Sequence, residues 1–261
     1  MRKLALIAAS LLLAVRVPAM AGDVSQPLTP SWAGFYVGVN GGWYQNINRS
    51  VSNTGTDTGP LGLGTFLAVG AFPAKTGLGY SGGLGGVTGG YNWQFAPMWL
   101  VGIEADIDGI SAGTSTSFST PGNFRGIGNA PFALGFSRSS NFSATLRPRI
   151  GVLPVPQLLL YATGGLAVGE DGFTASFTCP VCATPTFTSR TVSAWAPGLI
   201  AGAGAEWQIT PSWSVKAEYQ RLFYPNLVTG INYLYGTNIS TLRSSIPIED
   251  NVVKVGINYH F

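Results

Sequence analysis

The sequence predicts an all-β chain, an eight-stranded antiparallel transmembrane β-barrel with short periplasmic turns and four long extracellular loops. Three observations carry the prediction. Apolar residues recur at alternate positions in eight segments, and the connections between those segments are alternately short and long. The 261 residues are 46% hydrophobic but only 10% charged, where about a quarter is ordinary. After the N-terminus no apolar run of about 18 residues appears, so spanning helices are excluded. A sheet in hydrocarbon must pair its backbone groups internally and leave no edge, and it does so by closing.

The chain opens MRKLALIAASLLLAVRVPAMAGD. Arg2 and Lys3 precede an apolar stretch, Leu4 to Val15, and Ala19-Met20-Ala21 is a small-residue cleavage pattern. This is the layout of a secretory signal peptide over 1–21, although Arg16 interrupts the end of the apolar stretch. A membrane anchor would need about 20 apolar residues. Residues 22–31 then read as a periplasmic linker and 32–261 as the barrel. Without Arg2, Lys3 and Arg16 the chain holds 11 basic and 11 acidic residues. The mature protein therefore has no net charge to attract nucleic acid.

The strands follow in order. Around 33–43, Phe35, Val37, Val39 and Trp43 share a face; around 83–95, Val87, Tyr91, Trp93 and Phe95 do so among many glycines. In 98–107, Trp99, Val101, Ile103, Ala105 and Ile107 oppose Glu104 and Asp106. In 142–153, Phe142, Ala144, Leu146 and Ile150 oppose Thr145, Arg147 and Arg149. The segment 158–168 is apolar on both faces, which leaves its phase open. In 195–209, Leu199, Ala201, Ala203, Ala205 and Trp207 oppose Gly202, Gly204 and Glu206. In 213–222, Trp213, Val215, Ala217 and Tyr219 oppose Lys216, Glu218 and Gln220. In the last segment, Val253, Val255, Ile257, Tyr259 and Phe261 alternate with Lys254, Gly256, Asn258 and His260. Period two with one apolar face is the strand signature.

Long connections are expected at 44–82, 108–141, 169–193 and 223–250, and short ones at 96–97, 154–157 and 210–212. Bacterial barrels have this asymmetry, and an even strand count puts both termini in the periplasm. Two short turns repeat one pattern, WQFAPMW at 93–99 and WQITPSW at 207–213. Proline fixes φ and suits a tight turn. Centred on Ala96 and Thr210, the hairpins would place Trp93 directly opposite Trp99, and Trp207 directly opposite Trp213. With Tyr259, these residues are expected to form a periplasmic aromatic girdle, where indole favours the membrane boundary. The alternative is tryptophan in the core of a soluble β-sandwich.

WAGFYVGVNGGW near the start, YATGGLAVG, GAGAEWQI, WSVKAEY and the terminal VKVGINYHF resemble the small outer-membrane immunogenic, porin-family β-barrel proteins of alphaproteobacteria. The resemblance runs along most of 32–261. It implies an eight-stranded barrel like the transmembrane part of the major outer-membrane protein A. Two prolines depart from the pattern, Pro148 and Pro197, because each removes a ladder hydrogen bond unless a bulge absorbs it. The turn PVPQ at 154–157 also lacks the flanking aromatics of the other two.

The charges predicted to face the lumen are Glu104, Asp106, Arg147, Arg149, Glu206, Lys216, Glu218 and Lys254, four acidic and four basic. An eight-stranded barrel encloses little more than its own side chains, so balanced pairing is the expected arrangement, with Arg147 and Arg149 as cross-strand partners of Glu104 and Asp106 in a register the sequence leaves open. A narrow polar passage is the alternative, and an acid–base pair at Glu104 and Asp106 a more remote one. His260 is the only histidine and is penultimate in the chain, so a hydrolytic triad near the long loops is not expected. No metal site and no cofactor are expected, and GGLGGVTGG precedes no helix, as a phosphate loop would require. Cys179 and Cys182, in CPVC, are a disulfide candidate; a redox motif is the other reading. The last strand, Val253, Val255, Ile257, Tyr259 and Phe261, matches what the resemblance implies for recognition by the barrel-assembly machinery, since an unpaired strand edge is a template for pairing. The other partners expected are outer-membrane lipid and lipopolysaccharide, while a partner for the loops is not indicated. The sequence is thus read as a monomer or weak homo-oligomer of the outer membrane, without catalysis, which supports the envelope and presents loops. A narrow porin-like channel for small hydrophilic solutes or ions is the second reading.

Overall fold

The computed structural model describes residues 31–47, 50–59, 62–119, 131–179, 186–235 and 238–261. The expected signal peptide, and all but Ser31 of the expected linker, lie outside the described residues. Eight strands close the ring: β1 (Gly34–Asn46), β4 (Ser81–Ala96), β5 (Trp99–Ser119), β6 (Ala133–Val155), β7 (Leu158–Cys179), β8 (Thr186–Thr210), β9 (Trp213–Tyr235) and β10 (Asn238–His260). Each pairs antiparallel with its neighbour, and β1 closes on β10 from Tyr36↔His260 to Asn46↔Asp250. Between β1 and β4 lie β2 (Ser50–Asp57), α1 (Leu63–Ala68) and β3 (Lys75–Gly77).

The alternation noted above sets the lower part of this ring. Phe35, Val37, Val39, Ile103, Ile107, Ile150, Val255 and Ile257 are exposed on the outer surface, as a lipid-facing belt requires. Trp93, Trp99, Trp207 and Trp213 are each about half exposed at the short-turn end, and Tyr259 stacks edge-on to Trp213 at 5.1 Å. The tryptophans do share the outer face, but they are not directly opposed. Trp99 pairs with Ala96 and Trp93 with Val101, while Trp213 pairs with Thr210 and Trp207 with Val215. Each hairpin turns on two residues, Pro97-Met98 or Pro211-Ser212, and a one-residue irregularity precedes the turn in the first strand. In both turns the glutamine amide donates to the proline carbonyl, Gln94 to Pro97 at 3.1 Å and Gln208 to Pro211 at 2.8 Å. The third turn has a different aromatic partner, since the Trp32 indole donates to the Pro156 carbonyl at 2.8 Å.

The predicted loops 108–141, 169–193 and 223–250 are, where described, mostly strand. β5 to β10 run for 21 to 25 residues, about twice what a tilted strand needs to cross the membrane. Above the belt the ring parts into two sheets. The β8–β9 pairing ends at Leu199↔Phe223, although β7–β8 continues to Cys179↔Thr186 and β9–β10 to Asn238↔Tyr235. On the other side β4 leaves β5 at Gly82↔Ala112, and β2 takes up the free edge of β10 from Ser245 to Ser240. The result is a sandwich of β5–β8 facing β9–β10–β2–β3. Its core is apolar: Phe136 stacks on Phe173 at 6.1 Å, Phe177 meets Tyr233 at 5.2 Å, and Phe66 of α1 meets Phe132 at 4.7 Å.

Pro148 and Pro197 need no bulge. Both keep their register, opposite Ile103 and Val168 respectively. The Thr163 hydroxyl of the neighbouring strand donates to the Pro148 carbonyl at 2.9 Å. Pro197 stands two residues from the point where β8 leaves β9, so its missing N–H fits a strand that is becoming an edge.

Candidate functional site

The structure brings the eight lumen charges named above into one buried cluster. Period-two alternation points Glu104, Asp106, Arg147, Arg149, Glu206, Lys216, Glu218 and Lys254 inward, and the register places Glu104 directly beside Arg147 and Glu206 beside Lys216. Arg147, fully buried, is its centre. Its guanidinium donates to Glu104 at 2.6 Å and also to Asp106 and Glu218. Lys216 donates to Glu104 at 3.0 Å, and Lys254 lies 3.4 Å from Asp106 and bonds Asp108. Arg149 lies 3.3 Å from both Glu104 and Glu206 and donates twice to the Asn92 amide oxygen, at 2.7 and 3.0 Å.

Two tyrosines hold this arginine in place. The Arg149 guanidinium lies 4.5 Å over the Tyr36 ring and 5.2 Å from that of Tyr161, within cation–π range. Their hydroxyls donate to Glu104 and Glu218, both at 2.7 Å. Each ring needs a glycine beneath it. A Cβ on Gly90 would stand 2.2 Å from the Tyr36 hydroxyl, and one on Gly204 would stand 2.6 Å from Tyr161.

Four further buried charges face inward. Asp108 lies one residue past the predicted strand end. Arg138, Asp171 and Asp250 lie in the predicted loops, and they form a second buried cluster above the first. There Arg138 is 3.2 Å from Asp171 and 3.8 Å from Asp250, while Asp250 accepts from Tyr44 at 2.5 Å and Asn46 at 3.0 Å. His260, on the polar face of the last strand as the alternation predicts, is buried at the short-turn end and stacked on Tyr36 at 5.5 Å. It lies 2.9 Å from the Ser214 hydroxyl and 3.3 Å from Glu206. A serine, a histidine and a glutamate therefore meet, but the geometry is not that of a hydrolytic triad. One ring nitrogen, Nε2, faces both partners, and the serine hydroxyl donates to Glu206. A triad needs opposite ring nitrogens on nucleophile and acid.

Both ends of the lumen are filled. At the short-turn end Trp32 packs with Leu100, Leu153, Leu159 and Tyr161. At the other end α1 and the residues after it put Leu63, Phe66 and Phe72 into the sandwich core. The cap is fastened through Asp57, whose carboxylate accepts from the Gly64 and Thr65 amides at 3.0 and 2.6 Å and from the Ser240 hydroxyl at 2.6 Å. Partial burial alone would push the Asp57 carboxyl up. The hydrogen bonds from Ser240, Gly64 and Thr65 outweigh it and hold the group below its usual range.

Of the remaining candidate residues, Cys179 is disulfide-bonded and buried, while Cys182, the chain's only other cysteine, lies outside the described residues. Val253, Val255 and Ile257 face outward on β10 along the closing seam with β1. Phe261 is 76% exposed just beyond that strand, and its amide donates to the Phe35 carbonyl at 3.0 Å. Among the described residues no group of three or more His, Cys, Asp or Glu is placed to hold a metal ion.

A family model described as outer membrane protein beta-barrel domain matches residues 7–261. The chain is 30% identical over 267 aligned positions, 98% of each chain, to the 31 kDa outer-membrane immunogenic protein of Brucella melitensis biotype 1. The protein of that name from Brucella suis biovar 1 matches to the same extent. Among solved structures, OprG from Pseudomonas aeruginosa aligns over 89% of this chain and 99% of its own, at 13% identity and a TM-score of 0.44. Neisserial surface protein A aligns over 88% and 98%, at 12% identity and a TM-score of 0.39.

Proposed function

Because the chain belongs to the outer membrane protein β-barrel family, we propose that it is a non-conducting, non-catalytic outer-membrane barrel that braces the envelope and displays its upper sandwich at the cell surface. In this reading the short turns and both termini are periplasmic and the long-strand end is extracellular, the asymmetry usual in bacterial barrels. One observation carries it: buried clusters occupy the lumen at three successive levels. Ion pairs around Arg147 fill the level of the membrane, the Trp32 cluster lies below them, and the Phe66 and Phe72 core lies above. A narrow channel would need a continuous aqueous path between those clusters. Catalysis would need a reactive group within a substrate's reach, whereas Glu104, Asp106 and His260 are buried and engaged by neighbouring side chains.

Planar-bilayer recording of the purified, folded protein tests the proposal. No discrete current steps are expected from the wild type, and reproducible single-channel steps would overturn the sealed-lumen reading.

A further inference from the structure

Above the membrane, β5 to β8 present a second surface, which neither the belt nor the lumen accounts for. Strand register aligns its outward residues in rows. Ser115, Ser137, Thr174 and Thr191 form one row, and Ser117, Gly135, Ser176 and Ser189 the next. The outward positions are the odd residues of 113–119, 133–139 and 187–193 and the even residues of 172–178. Of these sixteen, eleven are Ser or Thr and none is charged. Water-facing sheet surfaces and edges are ordinarily set with Lys, Glu and other charges. Arg190, on the same strand as Thr191, belongs to the other face, because it pairs with the buried Ala175.

We propose that this hydroxyl face binds the neutral sugars of the lipopolysaccharide that surrounds the barrel, given the orientation proposed above. Each hydroxyl both donates and accepts, as sugar hydroxyls do, and in-plane spacings of about 4.8 Å between strands and 6.6 Å along them offer a regular two-dimensional array. A face without cations has nothing with which to hold phosphate, which leaves the saccharide as the part of lipopolysaccharide that matches. Two exposed aromatics on the same face flank the array on β8, Phe187 at 71% and Trp195 at 61% exposure. They offer flat surfaces to the apolar faces of sugar rings. Between the strands lies a shallow depression of about 290 Å³, lined in part by Ser115, Ser117, Ser137, Thr174 and Ser176. Gly135 keeps it open, since a Cβ there would stand 2.6 Å from the Ser176 hydroxyl. Position selects the source of the sugar. Trp195 and Phe142, 5.3 Å apart with Glu170 paired to both as the one outward charge of that row, mark the top of the apolar belt, and the array begins directly above them, at the height of the oligosaccharide next to the lipid.

The test uses the full-length folded protein in micelles of a detergent with no sugar headgroup. The probe is phosphate-free core oligosaccharide, released from the source bacterium's lipopolysaccharide, and binding is read by saturation-transfer NMR. Wild type is expected to bind with a dissociation constant on the order of 1 mM. The quadruple variant Ser115→Ala, Ser137→Ala, Thr174→Val and Thr191→Val is expected to bind at least fivefold more weakly. The double variant Thr54→Val and Thr241→Val, on the opposite sheet, is expected to bind as wild type does. Heat-modifiable gel mobility selects variants that have folded; should the quadruple variant fail it, Thr191→Val alone is used, with an expected twofold loss. Absence of binding by wild type overturns the proposal, and so does equal loss in both sets of variants or none in either. A panel of host-type glycans bound more tightly than the core oligosaccharide would overturn the assignment to lipopolysaccharide.

Discussion

Arg147 shows at the residue scale what a closed barrel asks of its interior. The side chain is fully buried and contacts Glu104, Asp106 and Glu218, so three carboxylates share one guanidinium, with Lys216 and Lys254 beside them. Removing one member of a buried ion cluster leaves uncompensated charge and costs about 3–5 kcal/mol. Arg147→Met is therefore expected to destabilise the folded barrel by about that amount, read as a shift in its urea unfolding curve in lipid vesicles. Combining it with Glu104→Gln should recover part of the loss. A cost below about 1 kcal/mol, the range of an exposed pair, would show that water reaches the cluster. The polarity of these residues was legible in the sequence, because period two separated Glu104, Asp106, Arg147 and Arg149 from the apolar face before any register was known. Arg147 and Arg149 were also legible as cross-strand partners of Glu104 and Asp106, and three of those ion pairs form; the register was not, since a one-residue slip changes which residues lie side by side. His260 was legible as a residue but not as a neighbour of Glu206 and Ser214, a contact that exists only once β10 has paired with β9.

The elements above the belt were the least legible, for a physical reason. Below it the strands carry apolar residues outward and charges inward; above it the assignment is reversed. In β6 the buried side runs from Arg149, Arg147 and Thr145 to Phe136 and Leu134, while the outer side runs from Ile150 and Leu146 to Ser139 and Ser137. The phase also slips, because an extra residue at Asn141 in β6 and another at Pro225–Asn226 in β9 move the buried set to the other parity. Alternation followed in one phase, with apolar residues facing lipid, ends near that slip in β6 and β9; the other strands keep their phase and end in the sequence pattern only where the polarity of the two faces reverses. The helix α1 was hidden for another reason: six residues are too short for a 3.6-residue period to show, and docking rather than propensity holds it. Asp57 supplies part of that docking. Its folded-state pKa is lowered, so its contribution is present above the unfolded value of about 4 and is lost as pH falls through the folded one. Asp57→Asn is expected to loosen α1 by about 1 kcal/mol at neutral pH, seen as faster amide exchange over 63–68. The difference from wild type should vanish in acid, where both side chains are neutral. Equal exchange at pH 7 would mean that Phe66 and its aromatic neighbours hold the helix unaided.

At the scale of the whole molecule, one chain is built for two solvents, and the boundary between them is a prediction about depth. Along β10 the outward residues run Tyr259, Ile257, Val255, Val253 and then Asn251, which accepts a hydrogen bond from Tyr219 at 2.6 Å. The eight residue steps from Tyr259 to Asn251, at about 3.4 Å each and tilted by about 40°, rise roughly 20 Å, close to the roughly 25 Å apolar band of outer-membrane barrels. A lysine facing the middle of that band costs about 2–4 kcal/mol, and one near either boundary about 0–1. Single lysine substitutions down the strand should thus trace a peak, with Val255→Lys and Ile257→Lys most costly. Tyr259→Lys and Asn251→Lys should lose little through lipid contact, and Ser245→Lys, on the upper sandwich, almost nothing. Equilibrium unfolding from lipid vesicles gives each value. The shape of the profile matters more than any single entry in it. A peak at Val255 fixes the apolar band between the tryptophan turns and the hydroxyl face, so that β5 to β10 must carry their upper halves into water. A profile that keeps rising through Asn251 to Ser245 would place the sandwich within the bilayer, where its outward hydroxyls would be buried without water to satisfy them.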